Sequence, residues 1–220
     1  LGGGTLTVGN GDFRGHIAGS TGQLSKATSG ELILRHSGTL GANTFWKTTI
    51  QKGTLTATDP PVLGQGVVRV ESGGTLNIDN AILSLAADLE LSGTGDRDLG
   101  ALTGTRQAVY TGRIKLLDDA SVGATGVNDR LDLKGAINGA GKALTIDGSG
   151  TVVLAGGLSN ARSIEQRATS TIDMGSDQTV ETMSDQVYKG LVKGTNVHLT
   201  SSGGSIKATS GRNDFQGRVT

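Results

Sequence analysis

Short apolar-x-apolar triplets recur along the whole chain, each flanked by Gly, Ser, Thr, Asn or Asp. The series includes Leu6-Thr-Val8, Leu32-Ile-Leu34, Leu55-Thr-Ala57, Val68-Arg-Val70, Leu76-Asn-Ile78, Leu83-Ser-Leu85 and Leu89-Glu-Leu91. It continues through Ile114-Lys-Leu116, Leu131-Asp-Leu133, Leu144-Thr-Ile146, Val152-Val-Leu154, Ile172-Asp-Met174, Val197-His-Leu199 and Ile206-Lys-Ala208. Alternation of period two over three to five residues, closed by turn formers, is the mark of a short strand with one buried face. No segment sustains the 3.6-residue period of an amphipathic helix, so the pattern predicts an all-β chain.

The triplets also recur at a longer interval. Leu55 and Leu76, Leu131 and Val152, and Val152 and Ile172 stand about 20 residues apart, which is a solenoid period. A unit of that length cannot bury its apolar face alone, whereas copies stacked at roughly 4.8 Å per rung share one continuous core. The expected fold is a right-handed parallel β-helix of roughly nine to eleven rungs, with residues 1–220 forming a single β-helical segment. A β-sandwich is the competing architecture, but it calls for longer strands and more aromatic residues.

Composition narrows the core. The 24 Leu, 11 Ile, 15 Val and 3 Phe provide enough apolar surface to fold, while one Trp and two Tyr leave an interior built from aliphatic side chains. The 37 Gly stop short of a low-complexity composition. No cysteine is present, which excludes a disulfide scaffold, a thiolate metal site and a cysteine nucleophile. Twenty Lys plus Arg balance twenty Asp plus Glu, so there is no electrostatic case for a nucleic-acid partner or a membrane surface. Neither an apolar run long enough to span a bilayer nor a signal-peptide pattern occurs, so export would depend on a signal elsewhere.

The two ends look alike. Gly3-Gly-Thr-Leu-Thr-Val8 leads into Asp12-Phe-Arg-Gly15, and Gly203-Gly-Ser-Ile-Lys-Ala208 leads into Asp214-Phe-Gln-Gly217. One unit at both edges, with no capping segment, predicts a repeat array that continues in a longer protein.

Residues 31–78 carry an ordered set of motifs: Gly41-Ala-Asn43-Thr44-Phe45, then Thr48-Thr49-Ile50, Gly53-Thr-Leu55, and Gly73-Gly74-Thr-Leu76. This order resembles the passenger-associated transport repeat of bacterial autotransporter adhesins, in which an Asn-Thr-Tyr turn precedes a Thr-Thr-Ile, a Gly-Thr-Leu and a Gly-Gly-Thr-Leu strand. The Asp-Phe-x-Gly units resemble repeats of large surface proteins exported by autotransporter or two-partner systems, related to filamentous haemagglutinin. The family usually has a Gly between the aromatic residue and Thr-Thr-Ile. Here Trp46-Lys47 fills a gap one residue shorter, so an unusual turn is expected there. The resemblance implies a β-helical passenger carried outward by an outer-membrane β-barrel transporter and displayed at the bacterial cell surface. Its expected partners are a host-cell or matrix surface, or further copies of itself.

Candidate chemistry is sparse. Gly139-Ala-Gly141-Lys142-Ala143 imitates the end of a phosphate-binding loop, but Ala136 stands where a Gly is required and Ala143 offers no hydroxyl for Mg²⁺. Gly9-Asn-Gly11-Asp12 resembles part of a calcium-binding repeat but occurs once, so it is read as a turn. His16, His36 and His198 share no ligand or triad spacing, and His198 alternates with apolar neighbours and should face solvent. Asp96, Asp98, Asp118 and Asp119 are the strongest acidic set, because the two pairs are about one rung apart and would stack at a turn. Asp is also a common turn former, and solvated turns are the preferred reading. Asn10, Asn43, Asn138, Asn196 and Asn213 fall at expected strand ends, where Asn tolerates left-handed backbone and its amide can bond to the next rung. Asn43 with Phe45 is either a repeat signature that assists folding outside the cell or a plain turn. Trp46 is expected to be buried at the tightened turn.

The expected function is therefore structural and adhesive, with no catalytic, cofactor or metal residues assigned. A β-helical polysaccharide lyase or hydrolase is the alternative.

Overall fold

A computed structural model describes residues 2–36, 42–83, 88–167, 170–209 and 214–220. The expected all-β parallel β-helix is observed: strands stack in parallel through about nine turns, and among the described residues the two helical pieces are single 3₁₀ turns at Pro60–Leu63 and Asp96–Asp98. Gly41, Ser84, Leu85 and Asn213 lie outside the described residues.

Three parallel sheets build the stack, the first two from its first turn and the third, among the described residues, from Ile82 onward. The first begins with Thr5–Val8 and Gln23–Lys26 and passes through 47–50, 67–70, Leu89–Gly93 and 114–116. The second begins with Gly11–Arg14 and Glu31–Arg35 and passes through 54–57, 74–78, Leu102–Thr105 and 122–124. The third is built by Ile82–Leu83, Gln107–Tyr110, Arg130–Leu133, Thr151–Leu154, Thr171–Ser176 and the start of Leu191–Ser201. Each turn visits the sheets in that order.

The triplet spacing is realised as register. Leu55 pairs with Leu76, Leu131 with Val152, and Val152 with Ile172. Register partners range from 18 residues apart (Thr5 to Gln23) to 27 (Ile82 to Val109). The variation is absorbed at corners, because the inward ladders must stay aligned to keep one core closed. In the first sheet one ladder runs Leu24, Thr48, Val68, Leu89, Ile114, Ile137, Leu158, Val180 and Leu199. All of these are buried. Thr48, the polar member, donates its hydroxyl to Leu63 O at 2.9 Å, so its burial leaves no unpaired group.

Other polar side chains also enter the interior, Lys26 and Gln186 among them. Lys26 is buried in the ladder between Val8 and Ile50, and its ammonium donates to the carbonyls of Thr28 and Lys52 at the next corner. Burial pushes its pKa below the usual lysine value. Gln186 donates to Val180 O and Thr200 O, and accepts from the Tyr188 hydroxyl at 2.9 Å.

The two end units do not occupy equivalent places. Asp12 and Phe13 lie in the second sheet against Ile33 and Leu34, whereas Asp214 and Phe215 lie in the third sheet against Lys193 and Gly194. Likewise Thr5–Val8 belongs to the first sheet, while Ile206–Ala208 pairs with Gln186–Tyr188 in the second. Equal sequence therefore serves different faces, since a strand of alternating pattern presents one apolar side to the core on whichever sheet it falls.

Backbone pairing joins each rung only to its neighbours, side-chain contacts such as Arg162 with Asp119 reaching one rung further, and the consequence is measurable. Residues from Gly203 onward supply Ile206–Ala208 and Asp214–Val219, each paired to the stack along one edge. Removing them should leave a cooperatively melting β-rich remainder with a modest fall in melting temperature by circular dichroism. Loss of all structure in the shortened chain would show a closed globular core instead.

Candidate functional site: a polar groove under a corner insertion

The transport-repeat residues are distributed through the wall of the rod. Asn43 is buried just before the first-sheet strand that begins at Lys47; its Oδ1 accepts from Ile17 N at 2.7 Å and its Nδ2 donates to Val62 O at 2.7 Å. One amide thus ties three successive turns. Thr44 Oγ1 accepts from Gly19 N at 3.1 Å, and Phe45 is fully buried. Ile50, Leu55 and Leu76 fill the core, and Thr49 is half-buried beside Ser25 and Arg69 in the first sheet. Gly53 and Gly74 face each other across neighbouring rungs at the corner between the first and second sheets, with Gly73 half-buried beside them. These positions are structural staples on different faces.

Trp46 departs from expectation: it is 59% exposed. Trp46 stands at a bend just before the strand that begins at Lys47, outside the alternation that places Thr48 and Ile50 inward, and its indole lies over Gly66, where a Cβ would stand 3.0 Å from Trp46 Cδ2.

The other sequence candidates resolve into turns. Gly139-Ala-Gly141-Lys142 is a corner in which Lys142 N donates to Gly139 O and Asn138 Oδ1 accepts from Ala140 N. Asp12, next to the Gly9-Asn-Gly11 turn, accepts from Arg35 Nε at 3.1 Å. Asn196 adopts the left-handed conformation at φ 54. His198 is exposed, as its alternation predicts. Exposed His16 and half-buried His36 lie far from it along the chain and the stack.

The four aspartates do occupy the same corner of two adjacent rungs, between the first and second sheets. They face different partners. Asp118 Oδ1 accepts from Lys142 Nζ at 3.4 Å, and Asp119 accepts from Ala143 N at 2.9 Å and from Arg162 Nη2 at 2.5 Å. The Ala143 amide and then the Arg162 guanidinium hold the Asp119 carboxyl below the ordinary carboxylate range. Asp98 accepts from Thr94 Oγ1 at 2.5 Å within its own loop. Among the described residues no group of three or more His, Cys, Asp or Glu is placed to hold a metal ion.

Charge elsewhere on the rod is arranged as pairs between neighbouring rungs: Arg35 with Asp12, Arg69 with Glu90, Arg106 with Asp79, Arg113 with Asp88 and Arg167 with Asp147. These contacts are partly exposed and each is worth at most about 1 kcal/mol. Their effect is to cancel charge locally along the rod.

The feature that breaks this regularity is a corner insertion. The path from Ile50 to Leu55 or from Val70 to Leu76 is short, whereas Leu91 and Leu102 are separated by the run Ser92-Gly-Thr-Gly-Asp-Arg-Asp-Leu-Gly-Ala101. Here Asp96–Asp98 forms a 3₁₀ turn in which Arg97 and Asp98 adopt φ of 54 and 58, left-handed values that cost a residue with a Cβ about 1–2 kcal/mol. Buried Thr75 on the preceding rung holds both sides of the loop. Its hydroxyl accepts from Asp96 N at 2.8 Å and donates to Gly100 O at 2.8 Å. Gly100 N closes the base by donating to Thr94 O at 2.7 Å.

The loop overhangs the outer face of the second sheet and walls a groove of about 260 Å³ lined by Glu31, Thr54, Thr75, Asn77, Asp96, Arg97, Leu99, Thr103, Thr105 and Thr125. The floor is a network running along the rod. Thr56 donates to Glu31 Oε1 at 2.5 Å, Asn77 donates to Thr56 at 3.4 Å, and Thr103 donates to Asn77 Oδ1 at 3.0 Å. Thr105 donates to Asp79 Oδ1 at 3.1 Å, where Arg106 Nε also binds at 2.8 Å. At the far end burial raises the Asp129 carboxyl, but the amides of Arg106 and Gly126 and the Thr125 hydroxyl outweigh it, so its pKa is lowered. Arg97 and Leu99 are exposed on the wall.

Sequence reasoning singled out Asp96 and Asp98 but missed the groove. The available signal was the Gly-, Thr- and Asp-rich run between Leu91 and Leu102, longer than the matching corners between Ile50 and Leu55 and between Val70 and Leu76. The Thr and Asn positions opposite it carried no signal, because outward hydroxyl residues are ordinary in any half-buried strand. Comparison of the chain with protein-family models, with curated proteins and with solved structures finds no match.

Proposed function

We propose that the chain is a structural and adhesive segment of a secreted or surface-displayed bacterial protein, serving to extend a rod and present its faces for adhesion or self-association. The observation that carries this reading is the use of inward positions to hold one continuous aliphatic stack while the outer faces bear charge-balanced polar side chains. The order of motifs between residues 31 and 78, which resembles a transport repeat of autotransporter passengers, supports export through an outer-membrane β-barrel transporter and an extracellular location. Host-cell surface, matrix or a second copy is the partner class.

The competing reading is a β-helical polysaccharide lyase or hydrolase, for which Glu31, Asp96 and Arg97 in one groove supply the material. Two measurements on the purified chain separate them. The adhesive reading expects saturable binding to cells or matrix-coated surfaces, or concentration-dependent association in sedimentation, with no turnover of pectin, alginate or glycosaminoglycan. It also expects these properties to survive Asp→Asn replacement at 96, 98, 118 and 119, since Asn suits the same turns. Turnover that falls by about 10²-fold or more on removing one carboxylate would establish the enzyme instead.

A further inference from the structure

The groove under the corner insertion has a chemistry that selects among ligands, and we infer that it binds a linear neutral oligosaccharide lying along the rod axis. The inference deepens the adhesive reading and rests on it, by naming what that surface holds. Glu31, Thr54, Asn77 and Thr103 come from successive rungs, and with Thr125 beyond them the groove follows the rod for about 20 Å at the usual strand spacing. This is the shape of a site for a chain.

Three other ligand classes fit poorly. An extended peptide gains its affinity by adding to an open sheet edge, whereas the strands beneath the groove are paired on both sides. A nucleic acid or other polyanion needs uncompensated cations. Here Arg106 is bound by Asp79, and Arg97 stands beside Asp96 with Glu31 in the same groove. A lipid chain requires a continuous apolar floor, and here threonine methyls are interrupted by hydroxyls, an amide and carboxylates. A sugar hydroxyl both donates and accepts, so it can pair with Thr54 and Thr105, donate to Glu31, and accept from Arg97. Leu99, half exposed on the wall, offers methyl groups to the C–H face of a ring.

The test is titration calorimetry of the full chain with cello-, xylo-, manno- and galacto-oligosaccharides, and with oligogalacturonate as the acidic comparison. At least one neutral probe is expected to bind. Leu99→Ser and Thr105→Val should each weaken it roughly three- to tenfold, while Glu165→Gln, outside the groove on the same sheet, leaves it unchanged. Arg97→Gly separates binding from folding: glycine suits φ 54, so the melting temperature should hold or rise while affinity falls. The inference is overturned if no neutral probe binds, if binding is indifferent to Leu99→Ser and Thr105→Val, or if oligogalacturonate is preferred. Cell or matrix binding retained in full by the Leu99→Ser and Thr105→Val variants also overturns it and leaves the adhesive reading standing. Sugar binding that persists in a rod that neither binds surfaces nor self-associates sustains the groove and removes the adhesive reading.

Discussion

Replacing Gly53 by Ala is expected to destabilise the rod by at least about 3 kcal/mol, which chemical denaturation would show as a large fall in midpoint. Two costs combine. Gly53 has φ +75, which an L side chain adopts at about 1–2 kcal/mol. A Cβ there would also stand 2.4 Å from Gly30 O and 2.5 Å from Thr28 O, both backbone atoms of the preceding rung that cannot rotate aside. The same carbonyl of Thr28 accepts from the buried ammonium of Lys26, so displacing it also disturbs that interaction. A comparison with Gly175→Ala isolates the contact: Gly175 has φ +63 but nothing within 4 Å of its Cβ position, and should cost only the conformational part. Equal losses at the two positions would show that crowding between rungs contributes nothing.

Phe45→Ala should cost about 3–5 kcal/mol, the range for removing a buried aromatic side chain. The ring is fully buried and packs on Gly64, where a Cβ would come within 2.6 Å of Phe45 Cδ2. Few aromatic residues are present to refill the space, and Gly64, at φ +77, cannot be enlarged to compensate. Trp46→Ala next to it is the internal control. Trp46 is largely exposed, so the larger aromatic residue should be the cheaper one to lose, by more than about 2 kcal/mol. The reverse order would place Trp46 in the core and Phe45 outside.

Most of the fold can be read from the chain because its signals are local and repeated. Alternation in Leu76-Asn-Ile78 or Leu131-Asp-Leu133 states which side of each strand is apolar, and the interval of about 20 residues states that strands stack in parallel. The pairs chosen by spacing alone, Leu55 with Leu76 and Val152 with Ile172, are register partners. The placement of Asp96, Asp98, Asp118 and Asp119 at one corner of adjacent rungs follows from the same period.

What the sequence determined by itself is therefore the all-β class, the period and the inward set. The tertiary structure alone decided which face each strand occupies, and so the different sheets taken by the similar end units at Asp12 and Asp214. It decided that Phe45 rather than Trp46 enters the core, and that the amide of Asn43 ties Ile17 to Val62. It also placed the 92–101 insertion over the Thr and Asn residues of earlier rungs to form a groove. The physical reason is that alternation specifies burial strand by strand, because a side chain either meets water or does not. Corner geometry and cross-rung contacts instead depend on residues some 20 positions away, whose distance to one another is settled only when the turns are stacked.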